Sequence, residues 1–321
     1  MRIKSASLIV ILVVLLLLKS QHTLSQSKNL DYKPYTIALT YEKLKKDYPF
    51  ITPIEPLKSK KIKCKKNIVY KKTPTSNLKL DIYIPKVNKQ KIYPAVLLIH
   101  GGGWLVGSKE NQRVMAQHLA LNGYVAISVS YRLGFEAPYP AAVLDIKDAI
   151  RWMRKNAKKH QINPDQIAVL GASAGAQLAT LIGVTSDSNI YGKTTISDKV
   201  QAIVNVDGIV SFIHPEASSE GTMASIWLSG SKDENFKNWE EASPLEYVNR
   251  ATPPTLFINS AQPRFHAGRD DMMALLNKYH IYNEMHTIED SPHSFWLMHP
   301  WFETTLNFTL DFLNKTLINE N

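Results

Sequence analysis

The sequence is nearly free of cysteine and lacks the common metal-binding motifs. Cys64 is the only cysteine among 321 residues, so the chain can form neither an intramolecular disulfide nor a cysteine-rich zinc site. Neither HExxH nor CxxC occurs, and we therefore expect no metal and no cofactor. With 44% hydrophobic and 21% charged residues, the composition is that of a globular protein with a large core, which argues against disorder.

The sequence also lacks an apolar run of the roughly 20 residues that a helix needs to cross a bilayer. The longest run, residues 8–18, follows a start that contains Arg2 and Lys4, and it precedes a polar segment that includes the small residue Ser25. This layout predicts that residues 1–25 are a cleaved signal peptide, with an uncleaved membrane anchor as the alternative. We therefore expect a secreted or periplasmic protein that has no membrane contact after cleavage.

The chain is basic, with a formal net charge of +10 at pH 7. Residues 1–25 contribute only three cations, Arg2, Lys4 and Lys19, and no acid, so the mature chain is still basic. Much of the charge lies in KSKKIKCKKNIVYKK, residues 58–72, which either attracts anionic partners or is a solvated edge strand whose lysines prevent aggregation. The sequence contains no recognisable nucleic-acid-binding module, and we expect no nucleic-acid partner.

The order of segments predicts a basic N-terminal extension, residues 26–75, followed by one catalytic domain, residues 76–321. Strands are predicted at short runs rich in β-branched and aromatic residues: LKLDIYIP, AVLLIH, YVAISVSY, QIAVLG, VQAIVNV, TLFIN and NEMHTI. Amphipathic helical patterns separate several of them, most clearly at 140–160. This alternation predicts an α/β fold with a mostly parallel central sheet and helices on both faces. Residues 209–250 interrupt the alternation, as either a cap over the site or a long surface connection.

A serine lies at the turn between a predicted strand and a predicted helix. GASAG, residues 171–175, has the G-x-S-x-G spacing of a tight elbow in which larger residues than glycine would collide with the backbone. The elbow exposes Ser173 at the carboxyl edge of the sheet with a helix N-terminus behind it. We interpret Ser173 as a nucleophile.

A run of glycines ends an earlier strand in HGGGW, residues 100–104. The glycines leave backbone N–H groups uncovered, so these groups can bind an oxygen that becomes negative when a carbonyl is attacked. A glycine run can also be only a flexible turn. Its position upstream of the serine elbow favours an oxyanion-binding loop.

With these two motifs in this order, the chain resembles the α/β-hydrolase family over about residues 76–316. Within that family it is similar to the esterases related to hormone-sensitive lipase and to bacterial carboxylesterases. The resemblance implies an oxyanion hole formed by Gly102, Gly103 and Ala174. It also implies a catalytic base after the last strand, which is where His293 lies in the segment SPHSFW.

The acid of the predicted triad departs from the family pattern. Relatives usually carry it just after the strand that corresponds to TLFIN, but residues 260–263 of this chain contain no carboxylate. We expect Asp270, further along the loop, to be the acid, although it could instead cap the helix that follows. Asp271 and Asp207, at the end of the preceding strand, are the alternatives.

Two arginines and two tryptophans near these motifs are candidates for substrate binding. Arg264 and Arg269 could bind the planar carboxylate of a uronic acid through their guanidinium groups. Trp104 and Trp296 could offer flat apolar faces to sugar rings. In the alternative interpretation the arginines pair with neighbouring aspartates and the tryptophans fill the core.

The segments PRFHAGRDDM and SPHSFWLMHPWF resemble loops of exported bacterial esterases that act on plant polysaccharides, including pectin methylesterases of this fold. The resemblance implies a secreted serine esterase. Its expected partner is an ester of a polysaccharide or oligosaccharide, and this sugar chain can be anionic. The most specific expectation is the methyl ester of galacturonate in pectin. Acetyl or feruloyl sugar esters, small esters or lipids, and a non-catalytic binding protein on the same fold are the alternatives.

Overall fold

The structure is a computed structural model that describes residues 32–86 and 91–318. The signal peptide expected at residues 1–25 lies outside the described residues. The folded unit that contains the motifs begins at Tyr35. Within the two described ranges, no helix is long and apolar enough to cross a membrane.

The strands of this unit form an eight-stranded sheet and a separate two-stranded sheet. In chain order the strands are β1 (Thr52–Pro53), β2 (Ile62–Lys72), β3 (Asn77–Pro85), β4 (Tyr93–Ile99), β5 (Val125–Val129), β6 (Ile162–Ala172), β7 (Ala202–Val206), β8 (Thr255–Asn259), β9 (Asn283–Thr287) and β10 (Met298–His299). The large sheet has the order β2-β3-β5-β4-β6-β7-β8-β9. Strand β3 pairs antiparallel with both β2 and β5, and the remaining neighbours are parallel. The predicted mostly parallel sheet is confirmed.

The helices are α1 (Ile37–Leu44), α2 (Arg113–Leu121), α3 (Ala141–Lys155), α4 (Ala157–His160), α5 (Ala174–Val184), α6 (Thr222–Trp227), α7 (Phe236–Glu241), α8 (Arg269–Lys278) and α9 (Trp301–Leu313). Short 3₁₀ segments are Lys109–Gln112, Asn189–Tyr191, Pro215–Ser219, Pro244–Tyr247, Pro263–Phe265 and Phe295–Leu297, and the turn Asn314–Ile318 is π-helical. The predicted helical pattern at 140–160 is thus divided between α3 and α4.

Helices cover both faces of the sheet, as the alternation of the sequence predicts. Alternate residues of β4, β6 and β7 join a core cluster with the buried residues of α2 and α9 on one face. On the other face, α5 packs so closely that a Cβ added at Gly183 would overlap the side chain of Ile203. Strands β4 and β7 are buried along their whole length, which is the reason that their sequences are almost entirely apolar.

The lysine-rich segment is part of the sheet. It forms β2, which lies at one edge of the large sheet and pairs with β3 alone. Charged residues on an edge strand hinder pairing with another chain. The position of β2 thus agrees with our interpretation of this segment as a solvated edge strand. The boundary expected at residue 76 falls between β2 and β3, and residues 35–75 belong to the same folded unit as the motifs.

Candidate active site

Ser173 lies at a sharp turn between β6 and α5. Its φ of +56° is in the left-handed region, which a serine adopts only where the surrounding structure enforces it. The glycines on either side permit the turn, because a Cβ at Gly171 would overlap the carbonyl of Gly175, and one at Gly175 would overlap the carbonyl of Ile99. The turn brings the Ser173 hydroxyl to the carboxyl ends of the parallel strands, where ligands bind in such sheets.

Three side chains form a continuous chain of contacts at this edge. Ser173 Oγ lies 2.8 Å from His293 Nε2, and His293 Nδ1 lies 2.6 Å from Asp207 Oδ2. His293 is on the turn between β9 and the Phe295–Leu297 segment, and Asp207 directly follows β7. A hydroxyl, an imidazole and a carboxylate in this order have the geometry of a nucleophile, a base and the group that orients the base.

Asp207 is completely buried and is surrounded by donors. Its Oδ1 accepts a hydrogen bond from the Ser260 N–H at 2.8 Å, and His266 Nε2 lies 3.4 Å from the same oxygen. Burial alone would raise the pKa of Asp207, but the contacts with His266, His293 and the Ser260 N–H outweigh burial and hold the pKa well below its usual range. Asp207 is therefore an anion at neutral pH.

Asp270 is not the carboxylate that contacts His293, so this prediction is wrong. Its side chain is 74% exposed and pairs with Arg269, whose Nε lies 2.8 Å from Asp270 Oδ1. Asp271 is also exposed and lies 3.3 Å from His214. Both aspartates occupy the first turn of α8, where a carboxylate is stabilised by the helix dipole and by water. Asp207, which we considered as an alternative, occupies the position beside His293.

The glycine turn that contains two of the predicted oxyanion donors approaches Ser173 at Gly101, and the third, Ala174, follows Ser173 in the chain. Gly102 and Gly103 adopt φ values of +114° and +57° in the turn after β4, and a Cβ added at Gly101 would lie 2.9 Å from the Cβ of Ser173. In the part of the chain that the structure describes, the N–H groups of Gly102 and Gly103 donate to no backbone carbonyl. Ala174 is the first residue of α5, and its N–H has no acceptor within the helix.

His100 holds the glycine turn in place. Its Nδ1 lies 2.8 Å from the carbonyl oxygen of Gly101, and its ring stacks on Tyr131 with 4.4 Å between centroids. The Tyr131 hydroxyl donates to the backbone carbonyl of His100. Burial lowers the pKa of His100 to about 4, so its imidazole is neutral at pH 7 and acts as a structural group.

Residues 209–250 contribute to the site through α6. The side chain of Met223 lies against the glycine turn, because a Cβ added at Gly103 would approach its Sδ to 2.6 Å. Trp227 of the same helix stacks on Trp104 at 5.2 Å with an interplanar angle of 10°. Two residues of this segment therefore pack against the glycine turn and Trp104.

The two tryptophans predicted to bind sugar rings are buried, contrary to our prediction. Trp104 is 5% exposed, and its Nε1 donates to the buried Gln177 side chain at 2.9 Å. Trp296 is 4% exposed and packs edge-on against His293, with 5.1 Å between centroids. Both rings fill the core around the site, because the loops that contain them fold inward over the sheet edge.

Arg269 is also occupied within the protein. Its guanidinium donates to the Asn259 side chain at 3.0 Å and to Asp270 at 2.8 Å, and only 13% of its side chain is exposed. The interpretation in which an arginine pairs with a neighbouring aspartate is correct for this residue. The prediction that Arg269 binds substrate is wrong.

Arg264 is available to a ligand. Its side chain is 53% exposed, and its Nη2 lies 3.7 Å from Glu220 Oε1, which is a long ion pair. Its guanidinium carbon lies 4.6 Å from the centroid of the Phe265 ring. The Phe265 ring in turn stacks on His293, with 3.6 Å between centroids. Arg264 is thus connected to His293 through one aromatic ring.

The sequence did not lead us to Phe265 or Met223 as site residues, nor to His266 as more than a packed histidine. Phe265 and His266 belong to the loop after β8, and their position at the carboxyl end of a strand was the available signal. Met223 lies in an irregular segment, where no periodicity indicates which residue faces the sheet. In the described ranges, no group of three or more His, Cys, Asp or Glu residues could hold a metal ion.

Residues 80–265 match the family described as BD-FAE. Among curated proteins, Esterase LipC of Mycobacterium tuberculosis is 30% identical over 191 residues, which are 57% of this chain and 47% of LipC. The chain spans less than half the length of this relative.

Solved structures of two esterases share the fold. A truncated carbohydrate esterase from gut microbiota has a TM-score of 0.69 and 23% identity, with 81% of this chain and 98% of that chain covered. Esterase Est2 of Thermogutta terrifontis has a TM-score of 0.67 and 24% identity, with 83% and 97% covered. Since the family match spans more than half of the chain, the protein belongs to the BD-FAE family, and its fold is that of the α/β hydrolases.

Proposed function

We propose that the protein is a carboxylic ester hydrolase in which Ser173 is the nucleophile. The observation that carries this proposal is the uninterrupted contact from Asp207 through His293 to Ser173, with separations of 2.6 and 2.8 Å. The similarity to LipC, which is named an esterase, supports the same reaction class.

The geometry supports acyl transfer in two steps. Ser173 Oγ attacks the ester carbonyl carbon while His293 Nε2 takes the hydroxyl proton, and Asp207 holds the Nδ1–H tautomer and stabilises the imidazolium. The N–H groups of Gly102, Gly103 and Ala174 stabilise the oxyanion. His293 then gives the proton to the departing alcohol. A water molecule, deprotonated by His293, cleaves the acyl-enzyme and releases the carboxylic acid.

The proposed substrate class is an ester on a sugar polymer or oligomer. One of the structural neighbours is a carbohydrate esterase from gut microbiota, and the first 25 residues have the layout of a signal peptide. The most specific form of the proposal is the methyl ester of galacturonate in pectin. Partly de-esterified pectin carries free carboxylates beside its esters, and the exposed guanidinium of Arg264 suits such a group. The basic net charge favours the approach of an anionic polymer.

Product release from natural esters tests this proposal. Wild-type protein and Ser173→Ala are incubated with methylated pectin, acetylated xylan, feruloylated arabinoxylan and p-nitrophenyl acetate, and methanol, acetate, ferulate and nitrophenol are measured. We expect serine-dependent release from at least one substrate, with a loss of about 10⁴-fold or more in Ser173→Ala. Methanol from pectin as the preferred product supports the galacturonate ester, whereas acetate or ferulate assigns the other sugar esters.

Covalent labelling tests the nucleophile without knowledge of the substrate. A fluorophosphonate probe should modify Ser173 in the wild-type protein, as identified by peptide mass spectrometry, and should leave Ser173→Ala unmodified. Equal turnover by the two proteins in the release assay would overturn the assignment of Ser173. Absence of both turnover and labelling would leave a ligand-binding protein on the same fold.

A further inference from the structure

Two consecutive residues of the loop after β8 contact two different members of the triad. The Phe265 ring stacks on the imidazole of His293, and the imidazole of His266 approaches the carboxylate of Asp207. We propose that Phe265 and His266 are positioning residues that hold the His293–Asp207 pair in its reactive orientation. This inference rests on the proposed hydrolytic function of Ser173.

The Phe265 ring restricts the rotation of His293. The two rings are nearly parallel, at an interplanar angle of 13° and a centroid separation of 3.6 Å. Trp296 packs against the same imidazole at 86°, so one face and one edge of the ring are enclosed. Only a narrow range of ring orientations keeps Nδ1 near Asp207 and Nε2 near Ser173 at the same time. At position 265, a side chain that leaves this face of the His293 imidazole open would allow other ring orientations.

Residues outside the triad contact Phe265 and restrict its position. The guanidinium of Arg264 lies over its ring, and Arg264 pairs with Glu220, which precedes α6. The side chain of Glu220 is only 12% exposed. The stack on His293 is therefore connected, through Arg264 and Glu220, to the segment whose Met223 contacts the glycine turn.

The second contact of this loop is between the buried Nε2 atom of His266 and the carboxylate of Asp207. This Nε2 atom has no hydrogen-bond partner among the described residues, and Asp207 Oδ1 lies 3.4 Å away. A buried donor without an acceptor is unfavourable, so we infer the tautomer with hydrogen on Nε2, which places this N–H beside the charged carboxylate as an electrostatic contact. The Ser260 N–H donates to the same oxygen, Oδ1, while Oδ2 faces His293.

The charged groups around His266 determine how a substitution at this position changes the pH dependence of kcat/KM. Asp207 is the buried charge in direct reach, and Asp270 on α8 is exposed to solvent and paired with Arg269. Arg264 lies two residues earlier in the chain and is half-exposed. An N–H of His266 beside Asp207 offsets part of the negative charge of that carboxylate.

The pH dependence of kcat/KM tests the role of His266. In His266→Leu we expect kcat to fall about 10- to 100-fold with little change in KM, since the contact of a polar N–H with the charged Asp207 carboxylate is lost. The acid limb should also move to higher pH, because the unshared charge of Asp207 raises the basicity of His293. His266→Gln, which places an N–H donor at a similar reach, should restore both. A lower kcat with an unmoved acid limb would show a packing role only and would overturn the inference for His266.

The stack of Phe265 on His293 has a matched control in the same chain. Phe308 stacks on His286 at 3.9 Å and 6°, and His286 approaches a carboxylate oxygen of Glu284, but this trio is not part of the site. We expect Phe265→Leu to lower kcat about tenfold and Phe308→Leu to leave kcat unchanged. Equal effects of the two substitutions would overturn the role of Phe265.

Proton NMR separates failure of this inference from failure of the proposed function. The proton shared by His293 Nδ1 and Asp207 gives a low-field signal that follows the protonation of His293 without any turnover. The midpoint of its titration should rise in His266→Leu and return in His266→Gln. If the wild-type protein hydrolyses no ester through Ser173, the proposed function fails, and this titration still tests the positioning. An unchanged midpoint in His266→Leu would overturn the inference even if the enzyme is active.

Discussion

Asp207 Oδ2 and His293 Nδ1 lie 2.6 Å apart although 86 residues separate them in the chain. Asp207 directly follows β7, which pairs in parallel with β6, the strand that ends at the Ser173 turn. Asp207 and Ser173 thus come from neighbouring strands, and only His293 lies on a long turn. The end of β6 and the whole of β7 are buried, so these two strands hold Ser173 and Asp207 rigidly, as catalysis by positioned groups requires.

This relationship predicts different results at the two candidate acids. We expect Asp207→Asn to lower kcat by about 10⁴-fold, because an amide favours the wrong tautomer of His293 and cannot stabilise its imidazolium. Asp270→Asn should stay within twofold of the wild-type protein, since its carboxylate is exposed and pairs only with Arg269. Both are measured with the ester that shows serine-dependent turnover. A large loss in Asp270→Asn alone would contradict the structure.

The sequence predicted the fold and the turn that exposes Ser173 because both follow from local rules. Glycines at 171 and 175 are needed wherever backbone passes this close, and continuous apolar strands are needed wherever both faces of a sheet are covered. His293 was found through its order in the chain relative to Ser173. Short stretches of sequence are enough to recognise these features. In the structure Ser173 and His293 are in contact, as predicted.

The acid could not be settled in the same way. Asp207 directly follows β7, and Asp270 lies in the first turn of α8, beyond the end of β8. Both are therefore carboxylates that follow an apolar strand in sequence, and only the packing of β7 beside β6 places one of them beside His293. Burial of Trp104 and Trp296 has a similar origin. Trp104 stacks on Trp227, which is distant in sequence, and Trp296 joins the core cluster that includes residues of β4, β6 and β7. Whether such a ring faces solvent therefore depends on tertiary contacts that sequence periodicity does not reveal.

The glycine turn after β4 gives a second prediction. A Cβ added at Gly102 would overlap the backbone carbonyl of Val106, and its φ of +114° disfavours other residues. In Gly102→Ala the turn must open and move the N–H groups that bind the oxyanion, so kcat should fall about 10²- to 10³-fold. Gly123→Ala is the control, because Gly123 also has a positive φ but has no atom within 4 Å of the added Cβ.

The control should lose about 1 kcal/mol of stability from backbone strain and keep its kcat. Thermal melting of both variants separates the effect on catalysis from an effect on folding. A Gly102→Ala protein that melts like Gly123→Ala and retains full activity would show that these N–H groups are not needed.

Glu220 gives a prediction about stability and pH. Burial raises its pKa, and the charge of Arg264 offsets this only in part. A carboxyl group whose pKa is higher in the folded state stabilises the fold at a pH below its unfolded pKa, and this contribution is lost as the pH rises through the folded pKa. At pH 7, Glu220 is therefore ionised at a cost in free energy. We expect Glu220→Gln to melt at a higher temperature than the wild-type protein at pH 7.

The advantage of Glu220→Gln should disappear below about pH 4, where a glutamate of ordinary pKa is protonated. Melting curves at a series of pH values check this, with the exposed Glu289→Gln as the control for loss of a surface charge. A lower melting temperature of Glu220→Gln at pH 7 would mean that the ion pair with Arg264 outweighs burial.

Arg264 gives the prediction that bears on substrate. Its guanidinium is half-exposed and only loosely paired, so a carboxylate on the substrate can compete with Glu220 for it. In Arg264→Gln, we expect kcat/KM for partly de-esterified pectin to fall about tenfold, which is the loss of one charge-assisted hydrogen bond at an exposed site. The rate with neutral p-nitrophenyl acetate should stay within about twofold, and added salt should reduce the difference between the substrates. Arg250→Gln is the matched control, since Arg250 lies over the ring of Tyr279 at 5.6 Å in a similar contact outside the site. An equal loss on the neutral and the anionic ester would mean that Arg264 acts by supporting Phe265 and not by binding a carboxylate.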